Sequence, residues 1–142
     1  MSECIFCAIV EGRAEASIVL DEPDVLAFMD IRPFTPGHLL VVPKRHAAGL
    51  AQLDPDDGAK VFAAGQRIAS ALRESELPVD GVNLFLADGV AAGQEVFHVH
   101  LHLVPRTAGD GFGIRARAQT PNRTVLDGTA GTLRTAVENF RA

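Results

Sequence analysis

Apolar residues along the chain fall into short runs and one long amphipathic stretch, and these runs predict its elements. Ile5 to Val10 reads as a short helix or turn ending at Gly12. Ser17–Leu20 and Val25–Met29 predict two strands, parted by the turn-forming run Asp21-Glu22-Pro23-Asp24. Residues 31–37 predict a loop, because Pro33 and Pro36 each bias the preceding residue out of the helical region. His38–Pro43 is a continuous apolar run, the pattern of a buried strand. The long amphipathic stretch, Pro55 to Glu76, predicts a helix. Asp54 can cap it, Pro55 suits its first position, and Asp56 and Asp57 complement the positive end of its dipole. Val61, Phe62, Ile68, Ala69 and Leu72 are expected on its inner face, and Pro78 stops it. Val82–Leu86 and Phe97–Val104 predict two more strands joined by the loop Asp88–Gly93, and Thr132–Arg141 a last helix with Leu133, Val137 and Phe140 as its stripe. Strands, helix, strands and tail helix make an α+β pattern: an antiparallel sheet with one long helix across it.

Composition narrows the class of function. A chain of 142 residues with 47% hydrophobic residues fits one domain spanning residues 1–142, without repeats or an evident linker. No apolar run approaches the ~20 residues of a membrane span, and no basic-then-apolar leader opens the chain, so a cytoplasmic protein without membrane contact is expected. A net charge of −5 argues against binding a nucleic acid polymer, which needs clustered Lys and Arg. Tyr and Trp are absent, removing the usual base-stacking anchors, although eight Phe remain. The charge is uneven, since the stretch from Pro105 onward carries six Arg against three acids.

Two groups of residues carry candidate chemistry. Cys4 and Cys7 form a C-x-x-C that reads as half of a zinc site, as a redox pair or as two unligated thiols. His98, His100 and His102 alternate with apolar residues. On a strand they would share one face with Cα atoms ~6.5 Å apart, leaving Val99, Leu101 and Leu103 for the core. Such a row suits either metal binding or nucleophilic catalysis by a neutral imidazole. The preceding loop offers Gly89 and Gly93 N–H groups that could cradle a phosphate. The residues alone leave both chemistries open.

The stretch from Gly93-Gln94-Glu95 through His98-Val99-His100-Leu101-His102 to Pro105-Arg106 resembles the signature of the histidine-triad (HIT) family, with its motif of three histidines alternating with apolar residues. Phe28-Met29-Asp30-Ile31 is similar to that family's nucleoside-lining segment, and Pro36-Gly37-His38 through Pro43-Lys44-Arg45-His46 to its P-K-x-H stretch. Cys4-Ile5-Phe6-Cys7 matches the opening of the zinc-carrying bacterial members. The likeness covers about residues 4–113, while the tail from Ile114 is not diagnostic.

The resemblance implies an α+β homodimer whose sheets join, and a nucleotidyl hydrolase or transferase. Such enzymes act on nucleoside monophosphates held through a phosphoanhydride or phosphoramide bond. It makes His100 the nucleophile, oriented by the backbone carbonyl of His98; His102 contacts the phosphate and His38 completes the cluster. Asp30 would bind ribose hydroxyls, Phe6, Ile9 and Ile31 would flank the base, and Gln94 would order the phosphate loop. Cys4, Cys7, His46 and His98 would hold a structural zinc. Two positions depart from the family's habit. Ala87 replaces an amide that reaches the nucleotide, and Glu95 stands where phosphoramidases carry Ser. Two alternatives follow: a nucleotide-binding regulatory module with little turnover, or a hydrolase using a catalytic metal at His98, His100 and His102.

Overall fold

The apolar runs pair as antiparallel strands. In the computed structural model, which describes residues 3–140, the elements in order are α1 (Ile5–Val10), β1 (Ile18–Asp21), β2 (Val25–Met29), β3 (Leu39–Pro43), α2 (Pro55–Glu74), β4 (Gly81–Phe85), β5 (Leu101–Arg106) and α3 (Arg123–Asn139). The five strands form one sheet in the order β1-β2-β3-β5-β4, with every neighbour antiparallel. This is the expected α+β arrangement. Among the described residues no helix is long and apolar enough to cross a membrane.

Strand alternation gives the sheet two faces with different work. Val25, Ala27, Leu39, Val41, Leu101 and Leu103 pack on one face against Val61, Ala64, Ile68 and Leu72 of α2. Phe62, expected on that helix face, is instead 59% exposed. It lies about 100° around the helix from Val61, outside the stripe centred on Val61, Ile68 and Leu72. The helix begins as its sequence dictates, with the Asp54 side chain accepting from the Asp56 N–H at 2.8 Å. It ends at Glu74 rather than Glu76, because Ser75 turns extended and its hydroxyl donates to the Leu72 carbonyl at 2.7 Å. On the other face Leu26, Phe28, Leu40 and Val42 meet Phe6 of α1.

The largest departure concerns the strand expected over Phe97–Val104. The strand β5 starts only at Leu101, so His98 and His100 precede it. The Val99 N–H donates to the Ala47 carbonyl at 2.8 Å, which ties this segment to the loop after β3 instead of to a sheet ladder. Period-two reasoning therefore holds for His102 and fails for His98.

Among the described residues, those from Gly113 to Phe140 belong to a second compact unit, the first ending at Phe112. Its helix α3 starts well before the expected Thr132, because Asn122 caps it by accepting from the Val125 N–H at 3.0 Å. Gly128 and Gly131 dilute the helical signal of its first half. Leu133 and Val137 lie on α3 and Phe140 caps its end, while Arg141 lies outside the described residues.

Gly65 of α2 faces the sheet closely, since an added Cβ there would come 2.9 Å from Leu101 Cδ2. Gly65→Val should therefore lower stability by about 1–3 kcal/mol. Thermal unfolding checks this, and an unchanged melting temperature would refute it.

Candidate active site and metal centre

Register across the second sheet face builds the floor of a cavity. Phe28 pairs with Leu40, Leu40 with His102, and His102 with Phe85, so these four stand in one row across β2, β3, β5 and β4. All four line a cavity of about 710 Å³. Ile5, Phe6 and Ile9 of α1 form one wall, and the loop through Gly93, Glu95 and Val96 forms another. His100 joins His102 on the lining, and Asp30, Ile31 and Arg32 stand at the end of β2.

Hydrogen bonds fix which nitrogen of each ring carries a proton. His100 Nδ1 lies 2.7 Å from the His98 carbonyl oxygen, an acceptor only, so His100 donates from Nδ1 and keeps its lone pair on Nε2. His38 Nδ1 lies 3.0 Å from the backbone N–H of Phe34, a donor only, so His38 accepts there and carries its proton on Nε2. That proton is donated to His102 Nδ1 at 2.9 Å, which leaves His102 with its own proton on Nε2. Asp30 Oδ2 stands 3.5 Å from His38 Nε2, and its Oδ1 accepts from the Arg32 N–H at 2.8 Å. Burial pushes the His38 imidazole below its usual range, opposed by the charge of Asp30. Burial, followed by His100 and His38, pushes His102 down to about 4, so both rings are neutral at pH 7.

His98 turns away from this pair. Its Nε2–H donates to the Pro43 carbonyl at 2.7 Å, leaving Nδ1 as the free lone pair. Nδ1 lies 3.5 Å from both Cys4 Sγ and Cys7 Sγ and 3.2 Å from His46 Nδ1, while Cys7 Sγ is 3.3 Å from His46 Nδ1. A tetrahedral ion with metal–sulfur bonds of ~2.3 Å and metal–nitrogen bonds of ~2.0–2.1 Å sets sulfur–nitrogen edges at roughly 3.5 Å and the nitrogen–nitrogen edge at roughly 3.3 Å. The four side chains Cys4, Cys7, His46 and His98 therefore could hold a metal ion, and their ligand atoms all lie within 4.8 Å of one another. Burial, with Cys4 adjacent, pushes the Cys7 thiol up to about 11, so its thiolate form at this cluster calls for a neighbouring cation. The cluster also anchors the cavity wall. Cys4 caps α1, whose Phe6 ring meets the His100 ring edge-on at 5.2 Å.

Other expected residues divide into those on the cavity and those behind it. Ile31 is 92% exposed at the rim. Gln94 does not line the cavity. It is buried behind the loop, accepting from the Gly89 N–H at 2.8 Å and donating to the Ala48 carbonyl at 2.7 Å. The Gly89 and Gly93 N–H groups, expected to cradle a phosphate, are taken by Gln94 and by the Val90 carbonyl. Both glycines serve the turn instead, with φ of 95° and 93°. Ala87 lines the cavity with no polar group to offer. Glu95 reaches Arg32 at 3.4 Å, a solvent-exposed pair that contributes little energy. Sequence reasoning missed Phe85, Phe34 and Arg32. The signal for Phe85 was its strand alternation, readable only once β4 is paired with β5.

Because His102 titrates near 4 when folded and near ~6.5 when unfolded, the unfolded chain takes up a proton across that window that the native chain refuses. Stability should fall as pH drops from 6.5 to 4. His102→Gln should make that fall shallower by on the order of 1 kcal/mol per pH unit. Melting curves of both proteins at matched pH check this, and parallel curves would refute it.

The chain matches the HIT domain family over residues 11–109. An uncharacterised HIT-like protein of Mycobacterium tuberculosis is 47% identical over 111 residues, 78% of this chain and 76% of the relative. Protein hit of Bacillus subtilis is 41% identical over 111 residues, again 78% and 76% of the two chains. Among solved structures, a Zn-bound histidine triad family protein from Mycobacterium smegmatis has 45% identity and a TM-score of 0.76, over 94% of this chain and 96% of that one. A histidine triad nucleotide-binding protein from Candida albicans gives a TM-score of 0.86 at 27% identity, over 96% and 98%. The matched stretch runs from the turn after α1 through β5, taking in the sheet, α2 and the histidine cluster, and the chain belongs to the HIT domain family.

Proposed function

We propose that the protein is a nucleotidyl hydrolase or transferase. Its substrates are nucleoside monophosphates bound through a phosphoanhydride or phosphoramide linkage, and the nucleotidyl group passes through His100. The observation that carries this reading is the 2.7 Å hydrogen bond from His100 Nδ1 to the His98 carbonyl. It commits the ring to the tautomer whose Nε2 lone pair can attack. Attack forms an Nε2–phosphorus bond, and the leaving group departs with the electron pair of the broken phosphorus bond and takes a proton from solvent. The imidazole becomes cationic, which strengthens its Nδ1–H hydrogen bond to the carbonyl as charge develops. His102 Nε2–H serves the phosphoryl oxygens. Water, or an acceptor alcohol, then attacks phosphorus, loses its proton to solvent and releases neutral His100 as the phosphorus–Nε2 bond breaks. Asp30 suits the ribose hydroxyls because a carboxylate accepts from two donors. Ile9, Ile31 and Phe6 supply an apolar bed for the base.

The same reading makes zinc the ion of the Cys4–Cys7–His46–His98 cluster. Four ligands close its coordination, so the ion is structural and leaves no position for an activated water. It also makes the protein a cytoplasmic homodimer, with β1 and β4 at the two sheet edges as the strands available for pairing. Native mass spectrometry should find a dimer carrying one zinc per chain. Cys4→Ser should lose the metal and lower the melting temperature more than turnover per folded molecule. A zinc-free monomer would remove both statements.

Rapid quenching during turnover of an adenylylated substrate should reveal one nucleoside monophosphate bound to the wild type. His100→Ala should carry none and should lose on the order of 10³–10⁶ in turnover. Persistent turnover in His100→Ala sinks the covalent route. Adenosine monophosphate binding without turnover of any adenylylated substrate favours a regulatory module instead.

A further inference from the structure

We propose that Phe85 is a positioning residue for His102: its ring, laid flat on the imidazole, holds Nδ1 in the hydrogen bond from His38 and keeps Nε2–H on the cavity side. The proposal rests on the reading above that His102 serves the phosphoryl oxygens. Phe85 and His102 are direct cross-strand partners on β4 and β5, and their rings stack 4.3 Å apart at an interplanar angle of 12°. One hydrogen bond at Nδ1 leaves an imidazole free to tilt about that bond. A flat aromatic face removes the tilt, which an aliphatic side chain of similar volume does not do.

Phe85 is itself held. Phe34 lies nearly parallel to it, with ring centres 6.5 Å apart at 12°, and also packs on His38 at 4.7 Å. Phe112 stacks on Phe34 at 5.1 Å, and the Arg106 guanidinium lies 4.8 Å from the Phe112 ring centre. Arg106 is in turn bound to both carboxylate oxygens of Asp110, at 2.7 and 2.9 Å. A chain of neighbouring side chains thus runs from the turn after β5 to His102. The same Phe34 supplies the backbone N–H that sets the tautomer of His38. Ring plane and proton position at His102 are therefore governed from one place.

The test compares Phe85→Leu and Phe85→Met, either of which suffices if the other fails to fold, with Phe85→Tyr, which retains the flat ring. Ring nitrogen NMR at pH 7 should find His102 as a single Nε2–H tautomer in the wild type and in Phe85→Tyr. The aliphatic variants should show mixed tautomers. They should lose kcat about tenfold on an adenylylated substrate, with KM within roughly twofold, while Phe85→Tyr stays within roughly twofold of wild type in both. A single Nε2–H tautomer with wild-type kcat in the aliphatic variants overturns the proposal. So does an equal loss in all three, which marks a packing role only. If the wild type itself forms no nucleotidyl adduct, the functional reading falls, and the tautomer comparison alone decides the role of Phe85.

Discussion

His98 is committed three times over, and the site is arranged around those commitments. Its Nε2–H is given to the Pro43 carbonyl, its Nδ1 faces the two cysteines and His46, and its own carbonyl takes the proton of His100. The side chain is completely buried. A fully buried imidazole costs stability unless both nitrogens are satisfied, and here each has a partner. The residue cannot rotate to relieve one contact without breaking the others. The candidate metal cluster and the candidate nucleophile therefore share one backbone unit, and the position of His100 depends on where the cluster holds His98.

The second constraint is the register of the sheet. A slip of one residue in β5 would turn His102 into the core beneath α2 and Leu103 into the cavity. Leu101 and Leu103 prevent this, because both are anchored among the α2 contacts, with Leu103 fully buried. Core packing on one face thus fixes chemistry on the other. The close seat of α2 at Gly65 belongs to the same device, since it lets Leu101 pack directly below the helix.

These relations were legible in the sequence to different degrees. Strand β2 and the start of α2 follow from apolar runs bounded by Pro and Asp, and both appear where those signals put them. The gathering of Cys4, Cys7, His46 and His98 came from resemblance, since residues up to 94 positions apart cannot be associated by spacing. The break before β5 was invisible because nothing in Phe97–His100 resists a strand. The competing partners, the Ala47 and Pro43 carbonyls, are backbone groups that any sequence could offer. The part Gln94 takes in its loop becomes specific only in the fold: it bonds across the turn that its neighbouring glycines shape, behind the cavity lining. The chain of aromatic neighbours is legible only in three dimensions, because Phe34, Phe85 and Phe112 lie in three separate segments.

The direction of the hydrogen bonds limits what the cavity can hold. Proton donation runs from the Phe34 amide to His38 and from His38 to His102, whose own proton is then on Nε2. The first link cannot be inverted, since a backbone amide has only a proton to give. The chain therefore ends in a donor on His102, a cavity-lining residue, and an electron-rich oxygen satisfies it. His100 is wired in the opposite sense, giving its proton to the His98 carbonyl and keeping a lone pair. The two ring centres are 5.0 Å apart, so a lone pair and a proton are offered side by side. A phosphoryl group carries an electrophilic atom with anionic oxygens one bond away, and it is the kind of group that meets both demands at once.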